Sequence, residues 1–191
     1  MPSIRGTRTE KNLLAAFAGE SQARNRYTYA AGVARKEGFR QIEALFLDTA
    51  DNEREHAKRF FSFLEGGMAE ITATYPAGKT GTTSENLLAA AEGENEEWST
   101  LYPHFAGIAK EEGFGEIASA FLMIAKAEKE HETRFRKLRE NVESKQVFHR
   151  EGKVRWRCRN CGYVHEGPDA PGRCPACLHP QEHFELASEN Y

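Results

Sequence analysis

The tetrapeptides EREH, residues 53–56, and EKEH, residues 128–131, decide the fold of this chain. Each places a glutamate three residues before a histidine, a spacing that puts both side chains on one face of a helix. A lone glutamate, Glu20 or Glu94, precedes them by 33 or 34 residues. Bundles that bind two metal ions take one glutamate from each of two helices and a Glu-x-x-His pair from each of the others. The layout predicts a helix bundle around a carboxylate-bridged metal pair.

An internal repeat surrounds these motifs. The pentapeptide NLLAA occurs at residues 12–16 and again at 86–90, an offset of 74 residues. The hexapeptide ARKEGF at 34–39 is echoed by AKEEGF at 109–114, an offset of 75. We therefore expect two similar halves. Each half begins with a sequence typical of a capping box, Thr7 to Glu10 and Thr82 to Glu85.

Apolar residues within each half recur at helical spacing, and the ligand candidates lie on the apolar face. Gly38 and Gly113 are predicted to form the turns of two helical hairpins, and residues 66–83, rich in Gly, the connection between them. The pattern predicts a mainly α fold, a four-helix bundle with one long crossover. Pro103 interrupts the third helix, so we expect a kink or bulge one to two turns after Glu97.

The carboxyl-terminal segment has a different composition. All four cysteines lie in two CxxC motifs, Cys158/Cys161 and Cys174/Cys177, separated by twelve residues. Such a pair of motifs indicates one tetrahedral site with four thiolates. The expected domains are a bundle over 1–146, a linker over 147–152 and a small metal-binding domain over 153–191.

The spacing of the cysteines cannot choose between iron and zinc, so a structural zinc ribbon remains open for this segment. In the bundle, carboxylates with two imidazoles favour iron or manganese.

Three further side chains are candidates for the bundle site. Glu97 offers an additional carboxylate without a counterpart in the first half, although it is also interpretable as an exposed neighbour of Glu94. Tyr27 and Tyr102 lie near the faces that carry the ligands, where their hydroxyls are placed to bond ligand carboxylates. Ordinary packing of the two rings in the core is nearly as well supported by spacing alone.

The bulk properties exclude some classes of protein. A net charge of −3 at pH 7 and a pI near 6.2 provide no basic excess for binding nucleic acid or an anionic membrane. No segment has the apolar length of a signal peptide or membrane span. Clustered cysteines are typical of thiolate metal sites in reducing compartments. We expect a cytoplasmic protein without a nucleic-acid or membrane partner.

Taken together, the chain resembles the rubrerythrin family over essentially its full length. The resemblance is carried by GESQARNRY at 19–27, EREHA at 53–57, Glu94 with Glu97, EKEH at 128–131 and WRCRNCGY at 156–163. It implies a ferritin-like di-iron domain followed by a rubredoxin-like domain that holds one iron between four cysteine thiolates.

The resemblance also implies a function, a non-haem peroxidase that reduces hydrogen peroxide to water in oxidative-stress defence. In the oxidised state the di-iron ligands would be Glu20, Glu53, Glu94, Glu97, Glu128 and His131. His56 would replace Glu97 on one iron upon reduction. The thiolate-bound iron would relay single electrons from an external NAD(P)H-linked reductase or rubredoxin, and the resemblance suggests a head-to-tail homodimer.

Two other classes of function remain open from the sequence. A ferroxidase that stores or detoxifies iron uses a similar bundle, but it gives the cysteine segment no clear purpose. A binding or regulatory protein with a zinc-ribbon tail is the third interpretation, and the metal held by the thiolates distinguishes it.

Overall fold

The computed structural model describes residues 3–190 and begins with a four-helix bundle. Its helices are α1 (Arg8–Lys36), α2 (Arg40–Phe61), α3 (Thr83–Glu96), α4 (Tyr102–Glu111) and α5 (Gly115–Glu143). A π-helical segment, Glu97–Leu101, joins α3 to α4 into one long third helix. Helix α1 packs along α2, and α3 and α4 pack along α5. The two hairpins are connected by one long crossover, as predicted.

The turn within each hairpin depends on a glycine. Gly38 has a φ of 81° and Gly113 a φ of 85°, values in the left-handed region that side chains disfavour. At the start of α3, the predicted capping box is complete, since Thr82 and Glu85 bond each other's backbone amides. At the start of α1 only half of the capping box forms. Thr7 accepts from the Glu10 amide, but the Glu10 carboxylate accepts from Gly6 rather than from Thr7.

The bulge in the third helix lies earlier than expected. The π segment starts at Glu97 itself, and the Tyr102 amide donates to the Glu97 carbonyl five residues back. The prediction of a bulge one to two turns beyond Glu97 was therefore wrong in position. Pro103 has no amide to donate, and the wider turn ends just before the proline, where α4 restarts with it in the first turn.

Two apolar clusters fill the bundle. One contains Phe60, Tyr102 and Phe121, and the other contains Tyr27, Phe46 and Phe135. Along α2, Glu53 lies between Phe60, which belongs to the first cluster, and Phe46, which belongs to the second. The charged side chains of the predicted site are thus enclosed by apolar packing on both sides.

The carboxyl-terminal module is a three-stranded antiparallel sheet with order β2-β1-β3, formed by β1 (His149–Cys158), β2 (Val164–Asp169) and β3 (Phe184–Leu186). Its small core consists of Trp156, Cys158, Ala170, Cys174 and Phe184. Strand β1 starts within the segment 147–152 that the sequence assigned to a linker, because His149 pairs with Asp169 although its neighbours lack an apolar pattern.

The module contacts the bundle at the turn between α1 and α2. Arg40 Nε lies 2.9 Å from Glu182 Oε1, and the rings of Phe39 and Phe148 stack with centroids 6.3 Å apart. Among the helices of residues 3–190, none combines the length and apolar character needed to cross a bilayer.

Candidate metal centres

Side chains from all four long helices meet in the middle of the bundle. Glu20 comes from α1, Glu94 from α3, and the two Glu-x-x-His pairs come from α2 and α5. They form two overlapping groups, in each of which the potential ligand atoms lie within 4.8 Å of one another. The first group is Glu20, Glu53, His56 and Glu128, and the second is Glu53, Glu94, Glu128 and His131.

Glu53 and Glu128 belong to both groups, and each turns one oxygen towards each histidine. His56 Nδ1 lies 2.9 Å from Glu53 Oε2 and 2.9 Å from Glu128 Oε1. His131 Nδ1 lies 3.2 Å from Glu53 Oε1 and 2.8 Å from Glu128 Oε2. One oxygen for each of two positions is the geometry of a carboxylate that bridges two cations.

The donor atoms fit metal binding better than hydrogen bonding. Glu20, Glu53, Glu94 and Glu128 are each at most 1% exposed. Several of the facing atoms make no well-oriented hydrogen bond among the described residues, although imidazole nitrogens lie close to some of them: Glu20 Oε2, Glu53 Oε1, Glu94 Oε2, both Glu128 oxygens and His131 Nδ1. Buried carboxylates whose charge is only partly compensated cost several kcal/mol each. Cations placed between these atoms would remove that cost, and the oxygen-rich donor set with two imidazoles suits iron or manganese.

Without cations, protons take up part of the negative charge. Burial raises the pKa of Glu20 well above its usual range, and the charge on Glu128 raises it further. Burial also raises the pKa of Glu94 to about 8. Burial alone would lower the pKa of His56, but its contacts with Glu128 and Glu53 raise it to about 10. Metal binding must displace these protons, so metal affinity rises with pH.

The two tyrosines bond the glutamates across the bundle. Tyr27 on α1 donates to Glu94 Oε1 on α3, and Tyr102 on α4 donates to Glu20 Oε1 on α1, both at 2.5 Å. Burial, together with the charge of the bonded glutamate, raises the pKa of each phenol well above its usual value. Both hydroxyls therefore stay protonated. Each binds one oxygen of a glutamate that belongs to only one ligand group, Glu94 for Tyr27 and Glu20 for Tyr102.

Sequence reasoning missed two supporting contacts. Asn52 Oδ1 lies 3.2 Å from His131 Nε2, which favours a proton on that nitrogen and leaves Nδ1 free for a cation. The carboxylate of Glu132, 8% exposed, accepts from the indole of Trp98 and from Asn95, on both sides of Glu97. The available signal in the sequence was a polar residue next to a ligand: Asn52 precedes Glu53, and Glu132 follows His131.

Glu97 stands apart from both groups. Its side chain is half-buried and lines a cavity of about 270 Å³ between α1, the crossover and the π segment. Burial and the charge on Glu94 raise the pKa of its carboxyl group well above the usual value. Of the candidate ligands in the bundle, the structure thus gathers all except Glu97.

The four cysteines converge at the second centre. Cys158 Sγ lies 3.8 Å from Cys177 Sγ, and Cys161 Sγ lies 3.6 Å from Cys174 Sγ. These distances are far longer than a disulfide bond of about 2.05 Å. In a tetrahedral site with metal–sulfur bonds of about 2.3 Å, neighbouring sulfur atoms lie roughly 3.8 Å apart, which matches the observed distances. A hydrogen bond from the His179 backbone lowers the pKa of Cys177 to about 6, favouring the thiolate that a metal requires.

Comparisons with known proteins agree with both centres. The family model described as rubrerythrin matches residues 11–139, and that described as the rubrerythrin, rubredoxin-like domain matches residues 156–185.

Relatives match this chain over nearly all of its length. Rubrerythrin of Porphyromonas gingivalis is 61% identical over 99% of this chain and 94% of its own. Rubrerythrin of Nitratidesulfovibrio vulgaris is 58% identical over the whole of both chains. The structure of nigerythrin in a mixed-valence state superimposes with a TM-score of 0.63 at 30% identity, covering 96% of this chain and 90% of that one.

Proposed function

The chain belongs to the rubrerythrin family, with a di-iron carboxylate–histidine site and a rubredoxin-like four-cysteine site, and from that premise we propose that it is a hydrogen peroxide reductase. One molecule of peroxide takes two electrons and two protons and gives two molecules of water. The observation that carries the proposal is the pair of overlapping ligand groups, which share Glu53 and Glu128 and leave three of the four oxygens of these two residues without a well-oriented hydrogen bond.

In this proposal each group would hold one iron ion. Glu20 and His56 would serve one position, Glu94 and His131 would serve the other, and Glu53 and Glu128 would be available to both. When bound, a reduced pair of iron ions supplies both electrons for cleaving the oxygen–oxygen bond. The protein fixes the distance between the two positions, because each bridging carboxylate is buried in its helix packing.

Glu97 and His56 have alternative roles at the first position. In the structure His56 Nδ1 lies against Glu53 and Glu128, while Glu97 remains on the cavity side near Gly19. This arrangement supports the reduced form of the proposed exchange, with His56 engaged and Glu97 withdrawn. Glu97 would approach after oxidation, when an additional carboxylate compensates the higher charge.

Tyr27 and Tyr102 would keep the outer glutamates in place throughout. Each phenol holds its proton on Oη and donates it to a single carboxylate oxygen, leaving the other oxygen directed at the metal position.

Electrons would enter through the four-cysteine centre, which transfers one electron at a time and must act twice per peroxide. The module contacts the bundle near Arg40, and Glu53 lies thirteen residues further along α2. At 1.5 Å per residue this is roughly 20 Å along the helix. We propose a head-to-tail dimer in which the four-cysteine centre of one copy serves the bundle of the other, with an external NAD(P)H-linked reductase or a rubredoxin as the donor. The proposed location is the cytoplasm, because clustered free cysteines favour a reducing compartment.

The test is anaerobic rapid mixing of the fully reduced, iron-loaded protein with one equivalent of peroxide, followed optically at both centres. We expect fast oxidation of the bundle site and slower oxidation of the sulfur site. In the double variant Cys158→Ser with Cys174→Ser, the bundle should still react once, whereas turnover with a reductase should stop. Unchanged turnover would contradict the electron relay.

Ferroxidase activity is the alternative that the same ligand groups support. It predicts that ferrous iron and oxygen yield a mineral core and that loss of the cysteines changes nothing. Iron at the thiolates, peroxide consumption without mineral, and dependence on the cysteines would exclude it.

A further inference from the structure

The crossover has one anchor above the cavity beside Glu97. From Glu65 to Thr80 every residue is exposed except Tyr75, which is half-buried. The Tyr75 hydroxyl donates to the backbone carbonyl of Ala15 at 3.0 Å. This contact fastens the connection to α1 and holds the aromatic ring over the helix surface.

The ring lies at the outer part of the cavity that leads to the metal site. The cavity has a volume of about 270 Å³, enough to hold several water molecules. Its walls include Tyr75 from the crossover, and Glu97, Tyr27 and Tyr102 from the bundle. Because the two buried tyrosines bond Glu94 and Glu20, the inner wall directly adjoins the proposed iron ligands.

Gly19 faces both the Tyr75 ring of the crossover and the Glu97 carboxylate of the bundle. A methyl group placed on its Cα would lie 3.7 Å from Tyr75 Cε1 and 3.9 Å from Glu97 Oε1, both ordinary contact distances. The Tyr75 ring therefore lies next to the Glu97 carboxylate and covers this part of the cavity from the crossover side. Hydrogen peroxide, a chain of two oxygen atoms, needs little space to pass the ring, whereas the branched carbon of a tertiary alkyl hydroperoxide needs more.

We propose that Tyr75 determines substrate specificity by closing the entrance to this cavity, so that hydrogen peroxide enters and bulky alkyl hydroperoxides are excluded. The inference rests on the proposed peroxide reduction and adds which peroxides are accepted. Both classes take two electrons and two protons, hydrogen peroxide giving two waters and an alkyl hydroperoxide giving one alcohol and one water. Selectivity therefore arises from access, measured as the ratio of second-order rate constants.

The direct test replaces Tyr75 by alanine in the iron-loaded, reduced protein. Stopped-flow oxidation by hydrogen peroxide and by cumene hydroperoxide gives the two rate constants. We expect the rate constant for cumene hydroperoxide, relative to that for hydrogen peroxide, to rise at least tenfold in Tyr75→Ala. The matched control is Tyr29→Ala, which removes a tyrosine that is 59% exposed on α1 and should leave the ratio unchanged. A rise of less than tenfold in Tyr75→Ala would overturn the proposal.

A second variant narrows the same passage from the other side. Gly19→Val should fill the space next to the Tyr75 ring and the Glu97 carboxylate. It should lower the rate constant for hydrogen peroxide at least tenfold at unchanged iron content. Gly32→Val on the same helix is the control, since Gly32 has no atoms within 4 Å of the added group. Equal rate constants in the two valine variants would contradict the route over Gly19. A parent protein that hydrogen peroxide fails to oxidise would refute the proposed function itself, whereas a reactive parent with unresponsive variants would refute only the entrance.

Discussion

The two metal centres of this chain depend on their surroundings in opposite ways. In the bundle, the ligand candidates are side chains in the middle of four helices, with an apolar cluster on either side. In the carboxyl-terminal module, Cys158 and Cys174 are two of the five residues of the core itself. The bundle is a packed fold that contains charged groups, whereas in the module the metal ligands are themselves part of a small core.

This difference separates folding from metal binding. Helices of 22 to 29 residues with extensive apolar contacts can pack without metal, although the buried carboxylates then oppose folding. A small module with five core residues needs its metal to compensate for the ordering of its chain. We therefore expect loss of metal to leave the bundle folded and to unfold the module.

The largest effect should follow from removing the metal at the thiolates. A structural metal contributes about 10–16 kcal/mol to the folding of such a module. Chelation should abolish amide protection in β1 and β2, while the helical circular dichroism signal falls by no more than about a tenth because most of the helix lies in the bundle. Hydrogen exchange followed by mass spectrometry measures both regions at once. If the amides of the module stay protected from exchange without metal, the expected difference between bundle and module is contradicted.

Replacing a bridging glutamate should remove more iron from the bundle than replacing an outer glutamate. Glu128→Ala removes an oxygen from both positions, so we expect loss of both bundle irons with the thiolate iron retained. Glu20→Ala affects one position and should lose one iron. Iron analysis per chain, with absorbance of the sulfur site as the internal reference, checks the difference. Equal losses in the two variants would contradict bridging.

The metal-free bundle should become less stable as pH rises. The pKa values of Glu94, about 8, and His56, about 10, lie above their unfolded values of 4.5 and 6.5. The stabilisation from a raised pKa is complete below the unfolded value and is lost as pH rises through the folded value. The free energy of unfolding should therefore fall between pH 6 and pH 10.

Chemical denaturation of the metal-free protein across this pH range measures the effect. The iron-loaded protein is the control, because cations replace the protons and its stability should not show the same fall. A metal-free bundle whose stability rises with pH would contradict the proton assignments.

The smallest effect should come from the contact between the two regions. Arg40→Gln removes the ion pair with Glu182, whose side chains are 25% and 28% exposed. A pair of this exposure contributes about 0–1 kcal/mol, so the thermal unfolding of the bundle should hardly change. Calorimetry of the variant beside the parent checks this. A large loss would show that bundle and module fold as one unit.

Much of the bundle was predictable because its signals are periodic and duplicated. The two Glu-x-x-His pairs, the hairpin glycines and the long crossover were all interpreted correctly as a four-helix fold. The π segment was also detectable. The repeat offset is 74 at Glu94 and 75 at Tyr102, so one extra residue lies between them, as a π bulge requires.

Other features were not predictable from local patterns. Glu10 bonds Gly6 rather than closing the expected capping box, because a neighbouring donor competes for the same carboxylate. The importance of Tyr75 was also hidden, since a single tyrosine in an irregular connection has no periodicity and acquires meaning only through its contact with Ala15.

The sequence by itself determined the kinds of centre this protein contains, since helical spacing and paired CxxC motifs depend only on residues close together along the chain. Only the tertiary structure decided which oxygen of Glu53 and Glu128 faces which histidine, that Tyr27 and Tyr102 bond the glutamates of the opposite half, and that Glu97 lies apart. The reason is physical. These relations join residues from different helices, and their distances are set by how the helices pack rather than by the spacing of residues within any one of them.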